Sequence, residues 1–227
     1  MSTNDTITEH LSHVSSFLAM DVFAKAEALE KQGRKIIHLE FGEPDFPTPT
    51  IISEVGIQSI RDAHTKYTHT QGIDEFREAV VDKYHRKYNV KISPAQVLTS
   101  SGSSILLYLA IRLLVPPGDE IIVTDICYSC YDNLAFMGGA VPVRVKLSLE
   151  SDFQLDIADV KKAITPKTKA ILINSPMNPT GTVLSKECAR ELAELGIPII
   201  SDEIYGDLIY EGDSYSILNY TDNCIAL

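Results

Sequence analysis

The residues with the most chemical potential follow short apolar runs. Ser201-Asp202-Glu203-Ile204-Tyr205 comes directly after the apolar residues 197–200. An acid at the end of a buried strand is costly unless a cation or several donors meet it. A protonated ring nitrogen of a bound cofactor would be such a cation. A plainer role is the N-cap of a following helix, for which Asp is common.

Three further motifs share that placement. Asn174-Ser175-Pro176-Met177-Asn178-Pro179-Thr180-Gly181 follows the run 170–173, with two prolines and a glycine fixing the loop and two side-chain amides offering donors. Thr99-Ser100-Ser101-Gly102-Ser103-Ser104 leads into an apolar helical stretch. Such a turn either presents backbone N–H groups to a phosphate or carboxylate, or is an ordinary serine-capped turn. It is neither a GxGxxG fingerprint nor a Walker loop. Asp125-Ile126-Cys127-Tyr128-Ser129-Cys130-Tyr131 sets two tyrosines three apart on one helical face. A ring there could stack on a planar ligand, or both could simply pack. The Cys127/Cys130 pair has no second ligand pair at zinc spacing and no thioredoxin-like surroundings, so neither a metal nor a redox role is expected. The six histidines form no HExxH or helix-face metal pair, and no GxSxG elbow is present.

The elements that must position these motifs follow from periodicity. Strands are expected over 96–99, 120–124, 141–145, 170–174 and 197–201, and helices over 105–115, 157–163 and 186–195. Alternating strands and helices predict an α/β domain with a mostly parallel sheet, whose ligands gather at the strands' carboxyl ends. Before it, residues 1–16 are expected to be a mobile arm, 17–32 a helix closed by Gly33, and 42–49, with three prolines, a stiff extended loop. Helices over 51–62 and 73–88 flank the polar loop 63–72. The domain boundary is drawn near residue 50, giving segments 1–50 and 51–227.

Composition narrows the partners. With 31 acidic and 20 basic residues the net charge is -11, a field that repels a phosphate backbone, so nucleic acid is not expected. The apolar runs are too short for a membrane span, and the polar first sixteen residues do not read as a secretory signal. Four scattered cysteines in 227 residues are not a disulfide framework, and a cytoplasmic setting is expected.

In this order the motifs resemble the class I/II aminotransferases, fold type I enzymes that use pyridoxal 5'-phosphate (PLP). The resemblance runs from about Phe17 to the end. It rests on Gly42-Glu43-Pro44-Asp45, the loop from Tyr67-Thr68 to Gly72, the Ser-rich turn at Gly102, Asn178-Pro179-Thr180-Gly181 and Ser201-Asp202-Glu203-Ile204-Tyr205. It implies a truncated three-layer fold type I large domain with an amino-terminal arm and small-domain segment. It also implies reversible transfer of an amino group between an amino acid and a 2-oxo acid. By the same resemblance Gly102, Ser103 and Ser104 match the turn that holds the cofactor phosphate, and Tyr128 the residue stacking on the pyridine ring. Asn178 and Tyr205 match the pair bonding the ring's 3-oxygen, and Asp202 the acid paired with the ring nitrogen. Gly42 matches a backbone contact to the substrate carboxylate. Tyr67 matches a tyrosine reaching the partner subunit's cofactor, which implies a homodimer.

One departure from the family is substantial. Its Schiff-base lysine stands in a Ser-x-Lys context beyond the strand after the Asp-Glu-Ile-Tyr motif. No lysine here occupies that context; Lys186 follows the Asn-Pro-Thr-Gly loop instead. The family's substrate-clamping arginine is also absent. The 227-residue chain alone is therefore expected to be inactive and prone to aggregate, with residues 225–227 forming an open strand edge. The alternatives are a non-catalytic or split-enzyme subunit, a PLP-dependent lyase or synthase of the same fold, and a nucleotide-binding α/β protein. The last lacks an acidic ribose-binding residue in the expected context.

Overall fold

The computed structural model describes residues 12–227. These form two compact units, one of residues 16–73 and one of 74–227 together with the residues before 16. The boundary drawn at residue 50 falls inside the first unit, just before its second helix. Most of the expected amino-terminal arm lies outside the described residues. Its described end is tied down: Ser15 N–H donates to Asn133 Oδ1 at 3.0 Å, and Asn133 Nδ2 donates to Ser15 O at 2.8 Å.

The first unit holds α1 (Leu18–Glu30) and α2 (Thr50–Arg61), joined by irregular chain. Its internal order comes from rings: Phe41 meets Phe23 at 5.6 Å and Phe17 at 6.3 Å between centroids. His38 bridges Glu40 at 2.6 Å and Glu30 at 3.1 Å. Helix α2 buries none of its residues, and Ile51, Ile52, Val55, Ile57 and Ile60 are all exposed.

The second unit begins with α3 (Asp74–Tyr88) and α4 (Ser103–Leu114) and then alternates. In order come β1 (Glu120–Thr124), α5 (Cys130–Gly138), β2 (Val141–Val145), α6 (Ile157–Ala163), β3 (Thr168–Asn174), α7 (Lys186–Glu194), β4 (Ile199–Asp202) and β5 (Cys224–Ala226). The five strands form one sheet in the order β2-β1-β3-β4-β5, with every pair parallel. Period-two alternation sorts the strand residues onto two faces. Ile121, Val123, Leu172 and Ile200 join Leu107 and Ile111 of α4 and Ala135 of α5 in one core cluster. Ile122, Ile171, Ile173 and Ile199 join Val160 of α6 and Leu192 of α7 in the other. A sheet buried on both faces explains why its strands read as near-continuous apolar runs. Helix starts are set locally: Asp156 accepts from Ala158 N–H at 2.7 Å and Ser185 Oγ from Cys188 N–H at 3.1 Å.

Two elements differ from the sequence expectation. Residues 96–99 form no strand; a 3-10 turn over Pro94–Gln96 runs into irregular chain. A strand needs a hydrogen-bonded neighbour, and none lies beside this segment among the described residues. Instead an open groove of about 830 Å³, lined by Val97, Leu98, Leu109, Tyr84, Ile225 and Ala226 among others, adjoins it. Helix α5 is the other, longer than the single turn read from Tyr128 and Tyr131. Tyr131, Ala135 and Gly138 are its buried stripe, and Gly139 closes it in the left-handed region at φ 80°. Gly138 is there for closeness, since a Cβ would sit 3.1 Å from Ile111 Cγ2 of α4.

Candidate functional site

The sheet's order creates one natural ligand position. The chain passes from β1 outward to β2 and then returns across β1 to β3, so strands beside β1 and β3 are entered from opposite directions. At such a switch point the loops diverge and leave a crevice at the carboxyl ends. Thr124 ends β1, Asn174 ends β3 and Asp202 ends β4, with Asn174 and Asp202 in register. All three are buried.

Asp202 is 4% exposed. Tyr131 donates its phenol proton to Oδ2 at 2.7 Å, and Ile204 N–H reaches Oδ1 at 3.3 Å. Burial raises the Asp202 carboxyl above its ordinary value, and these two donors oppose that shift. A nearby cation is what such a carboxylate lacks.

Asn174 joins the parts. Its Nδ2 donates to the Asp202 carbonyl at 2.9 Å, while its Oδ1 accepts from Asn178 N–H at 2.7 Å. The amide therefore clamps two strand ends and sets the loop that carries Asn178. That loop is closed by Gly181 N–H to Met177 O at 2.7 Å and Met177 N–H to Thr182 O at 2.9 Å. Asn178 Nδ2 then approaches the Tyr205 hydroxyl at 3.4 Å, leaving two polar groups side by side.

Tyr128 precedes α5 and meets Tyr131 edge-on, with centroids 5.6 Å apart at 82°. Burial pushes the Tyr128 phenol up to about 12 and the Cys127 thiol up to about 11. A thiol so raised stays protonated at neutral pH and is a poor nucleophile. Among the described residues no group of three His, Cys, Asp or Glu could hold a metal ion.

The turn at Gly102 opens α4, whose carboxyl end leads by a short loop into the start of β1. Its amino end therefore lies toward the strands' carboxyl ends, and no side chain caps it. Gly102 has φ 119° and ψ 156°, a conformation held essentially by glycine alone. Space around it is open, so the constraint is in the backbone. Gly102→Ala is expected to cost about 1–2 kcal/mol in folding stability, read by chemical denaturation, with no loss of helix content.

The structure thus gathers Asn178, Asp202 and Tyr205 around two strand ends and sets Tyr128 on the residue that bonds Asp202. Gly102, Ser103 and Ser104 stand at the start of a helix on the same sheet. Gly42 and Tyr67 belong to the other unit, Gly42 in irregular chain and Tyr67 fully exposed. Two residues of consequence escaped the sequence reading. Asn174 was legible only as an amide after a strand, and Tyr131 only as a second ring beside Tyr128. Their roles rest on contacts between distant segments.

The large groove is not this site: none of Gly102, Tyr128, Asn178, Asp202 or Tyr205 lines it. Among the described residues no helix is long and apolar enough to cross a membrane.

Comparison with known proteins shows the family. Residues 34–226 match the family model described as aminotransferase class I and II. The chain is 42% identical over 218 residues to the (5-formylfuran-3-yl)methyl phosphate transaminase of Methanocaldococcus jannaschii, covering 96% of this chain and 56% of that protein. It is 37% identical to the aspartate aminotransferase of Thermotoga maritima, covering 95% of this chain and 58% of that protein. The solved structure of Thermus thermophilus aspartate aminotransferase with maleate matches with a TM-score of 0.91 at 34% identity, over 96% of this chain and 58% of that one. The chain spans a little over half the length of these relatives. Its parallel sheet between helices belongs to the fold type I large domain that the sequence led one to expect.

Proposed function

We propose that this chain, which belongs to the class I and II aminotransferase family, supplies the cofactor-holding part of a PLP-dependent aminotransferase. The overall reaction is reversible transfer of an amino group between an amino acid and a 2-oxo acid. The observation that carries the reading is Asp202. It is a buried acid at a switch-point crevice, its protein donors are one phenol and one backbone N–H, and burial has raised its pKa. A site built to receive a cationic ring nitrogen has this character.

When bound, PLP supplies an electron-withdrawing ring that takes up the electron pair left on the substrate's α-carbon. Asp202 holds the proton on the ring nitrogen. Asn178 and Tyr205 bond the ring's 3-oxygen, and their 3.4 Å separation lets both reach one acceptor. Tyr128 covers a face of the ring. The backbone N–H groups after Gly102, with the Ser103 and Ser104 hydroxyls, hold the phosphate at the positive end of α4. Gly42 contributes a backbone contact to the substrate carboxylate. These side chains act by binding and electrostatics.

A homodimer is part of the proposal. Tyr67 is fully exposed, as a residue serving a partner's site would be in a single copy, and the apolar residues of α2 offer surface for association. The four cysteines are free, which suits a reducing cytoplasm.

The test is a calorimetric titration of the purified chain with pyridoxamine 5'-phosphate, which has no aldehyde to react with surface lysines. Saturable binding at least about 100-fold tighter than inorganic phosphate is expected, because the ring adds a desolvated charge pair, two polar contacts and a stacked face. Equal affinity for the two, or no binding, would overturn the reading.

A further inference from the structure

We propose that Tyr131 is the positioning residue of this site: it holds the Asp202 carboxylate by one oxygen and braces the Tyr128 ring edge-on, so that one side chain places both the acid and the aromatic wall. The proposal rests on reading the site as one for a pyridine ring.

Tyr131 is 1% exposed, and its ring belongs to the core cluster with Leu172 and Ile200. It therefore has little freedom. From that fixed position its hydroxyl donates to Asp202 Oδ2 at 2.7 Å across 71 residues of sequence. Its ring meets Tyr128 at 5.6 Å and 82°, an edge-to-face pair. Because Asn174 fixes the Asp202 backbone and Tyr131 its side chain, the carboxylate is held at both ends.

The charges around Asp202 give the bond a chemical consequence. Tyr131 acts on it from α5, while Asp202 itself acts on Tyr128 in the loop before α5 and on Glu203 in its own segment; Tyr205 acts in turn on both tyrosines. All are acids, so none supplies a positive charge. Burial raises the Tyr131 phenol well above its ordinary range, which keeps it a donor at every working pH. Its bond to a carboxylate is charge-assisted and favours the ionised form. Tyr131 thus opposes the rise that burial imposes on the Asp202 carboxyl.

Tyr131→Phe separates the two duties, since it keeps the ring and removes only the O–H. The Asp202 titration can be followed by carbon-13 NMR on carboxyl-labelled chain, its signal identified by its loss in Asp202→Asn. In Tyr131→Phe the midpoint should rise by about one pH unit or more. Affinity for pyridoxamine 5'-phosphate should fall about tenfold or more, with inorganic phosphate binding unchanged. A midpoint that does not move would overturn the proposal, whatever happens to stability. Should Tyr131→Phe fail to fold, 3-fluorotyrosine placed at position 131 gives a more acidic phenol and should move the Asp202 midpoint down; no movement would again be contrary. If the unaltered chain binds no pyridoxamine 5'-phosphate, the ring-site reading fails, while the titration still decides the role of Tyr131.

Discussion

Asp202→Asn is expected to make the ligand-free chain more stable at neutral pH and about 100-fold weaker in binding pyridoxamine 5'-phosphate. The stability half follows from linkage. The folded-state pKa of Asp202 is raised above its unfolded value. Its favourable contribution is therefore present below the unfolded pKa, near 3.8, and is lost as pH rises through the raised folded pKa. Above that folded pKa the empty site bears the cost of a buried carboxylate. Asparagine has no such cost; its one carbonyl oxygen still accepts from Tyr131, and its Nδ2 gives up only the long 3.3 Å contact from Ile204 N–H. The variant should gain about 1–2 kcal/mol at pH 7 and nothing at pH 3, read from denaturation midpoints at the two pH values. The binding half follows from the lost charge partner, since truncating one member of a desolvated pair costs about 2–5 kcal/mol. A variant that loses stability at pH 7, or binds the ligand undiminished, contradicts the account.

Asn174→Ala should have the largest purely structural effect at the site. The residue is 7% exposed, and both halves of its amide are bonded. Removing it orphans the half-buried Asn178 N–H and takes one of two donors from the Asp202 carbonyl, which still accepts from Ser175 N–H at 3.1 Å. An orphaned buried group costs about 1–3 kcal/mol, and a loss of about that size is expected in urea denaturation. Asn174→Asp is the informative companion. One oxygen can still accept from Asn178 N–H, but the other now faces the Asp202 carbonyl with no proton to offer. It should be at least as damaging as alanine at pH 7 and recover in part below about pH 5, where the new carboxyl can donate. If Asn174→Asp is neutral at pH 7, the clamp is not what orders this loop.

The sheet was legible because its chemistry is local. Residues 120–124 and 141–145 are β-rich runs bounded by turn residues, and the strands there have the expected limits. The helix over 157–163 begins at an Asp cap that the sequence shows outright. What local pattern does not carry was missed. Val97 and Leu98 have strand-like side chains, but a strand is made by its neighbour, and here a groove adjoins the segment. Helix α5 ends in two glycines and mixes polar with apolar residues, so its stripe of Tyr131, Ala135 and Gly138 shows only once α4 is against it.

The same division holds in the site. Asp202 and Asn178 announce themselves, because an acid after an apolar run and a proline-braced asparagine are unusual in sequence. Tyr131 does not. Its significance is a 2.7 Å contact with a residue 71 positions away, and nothing in Cys130-Tyr131-Asp132 marks it. Asn174 is similar, an ordinary strand end until its partners at Asp202 and Asn178 are seen. Residues that touch a ligand carry a type-and-position signal. Residues that hold those residues in place carry theirs in the fold.

The most direct measurement is the nitrogen-15 NMR spectrum of ring-labelled pyridoxamine 5'-phosphate bound to the purified chain, recorded as pH is raised. If Asp202 meets the ring nitrogen, the bound ligand keeps a pyridinium shift well above the pH at which the free ligand loses it, and Asp202→Asn abolishes the difference. A bound ligand whose nitrogen titrates as it does in water, or identically in the Asp202→Asn chain, would contradict the account.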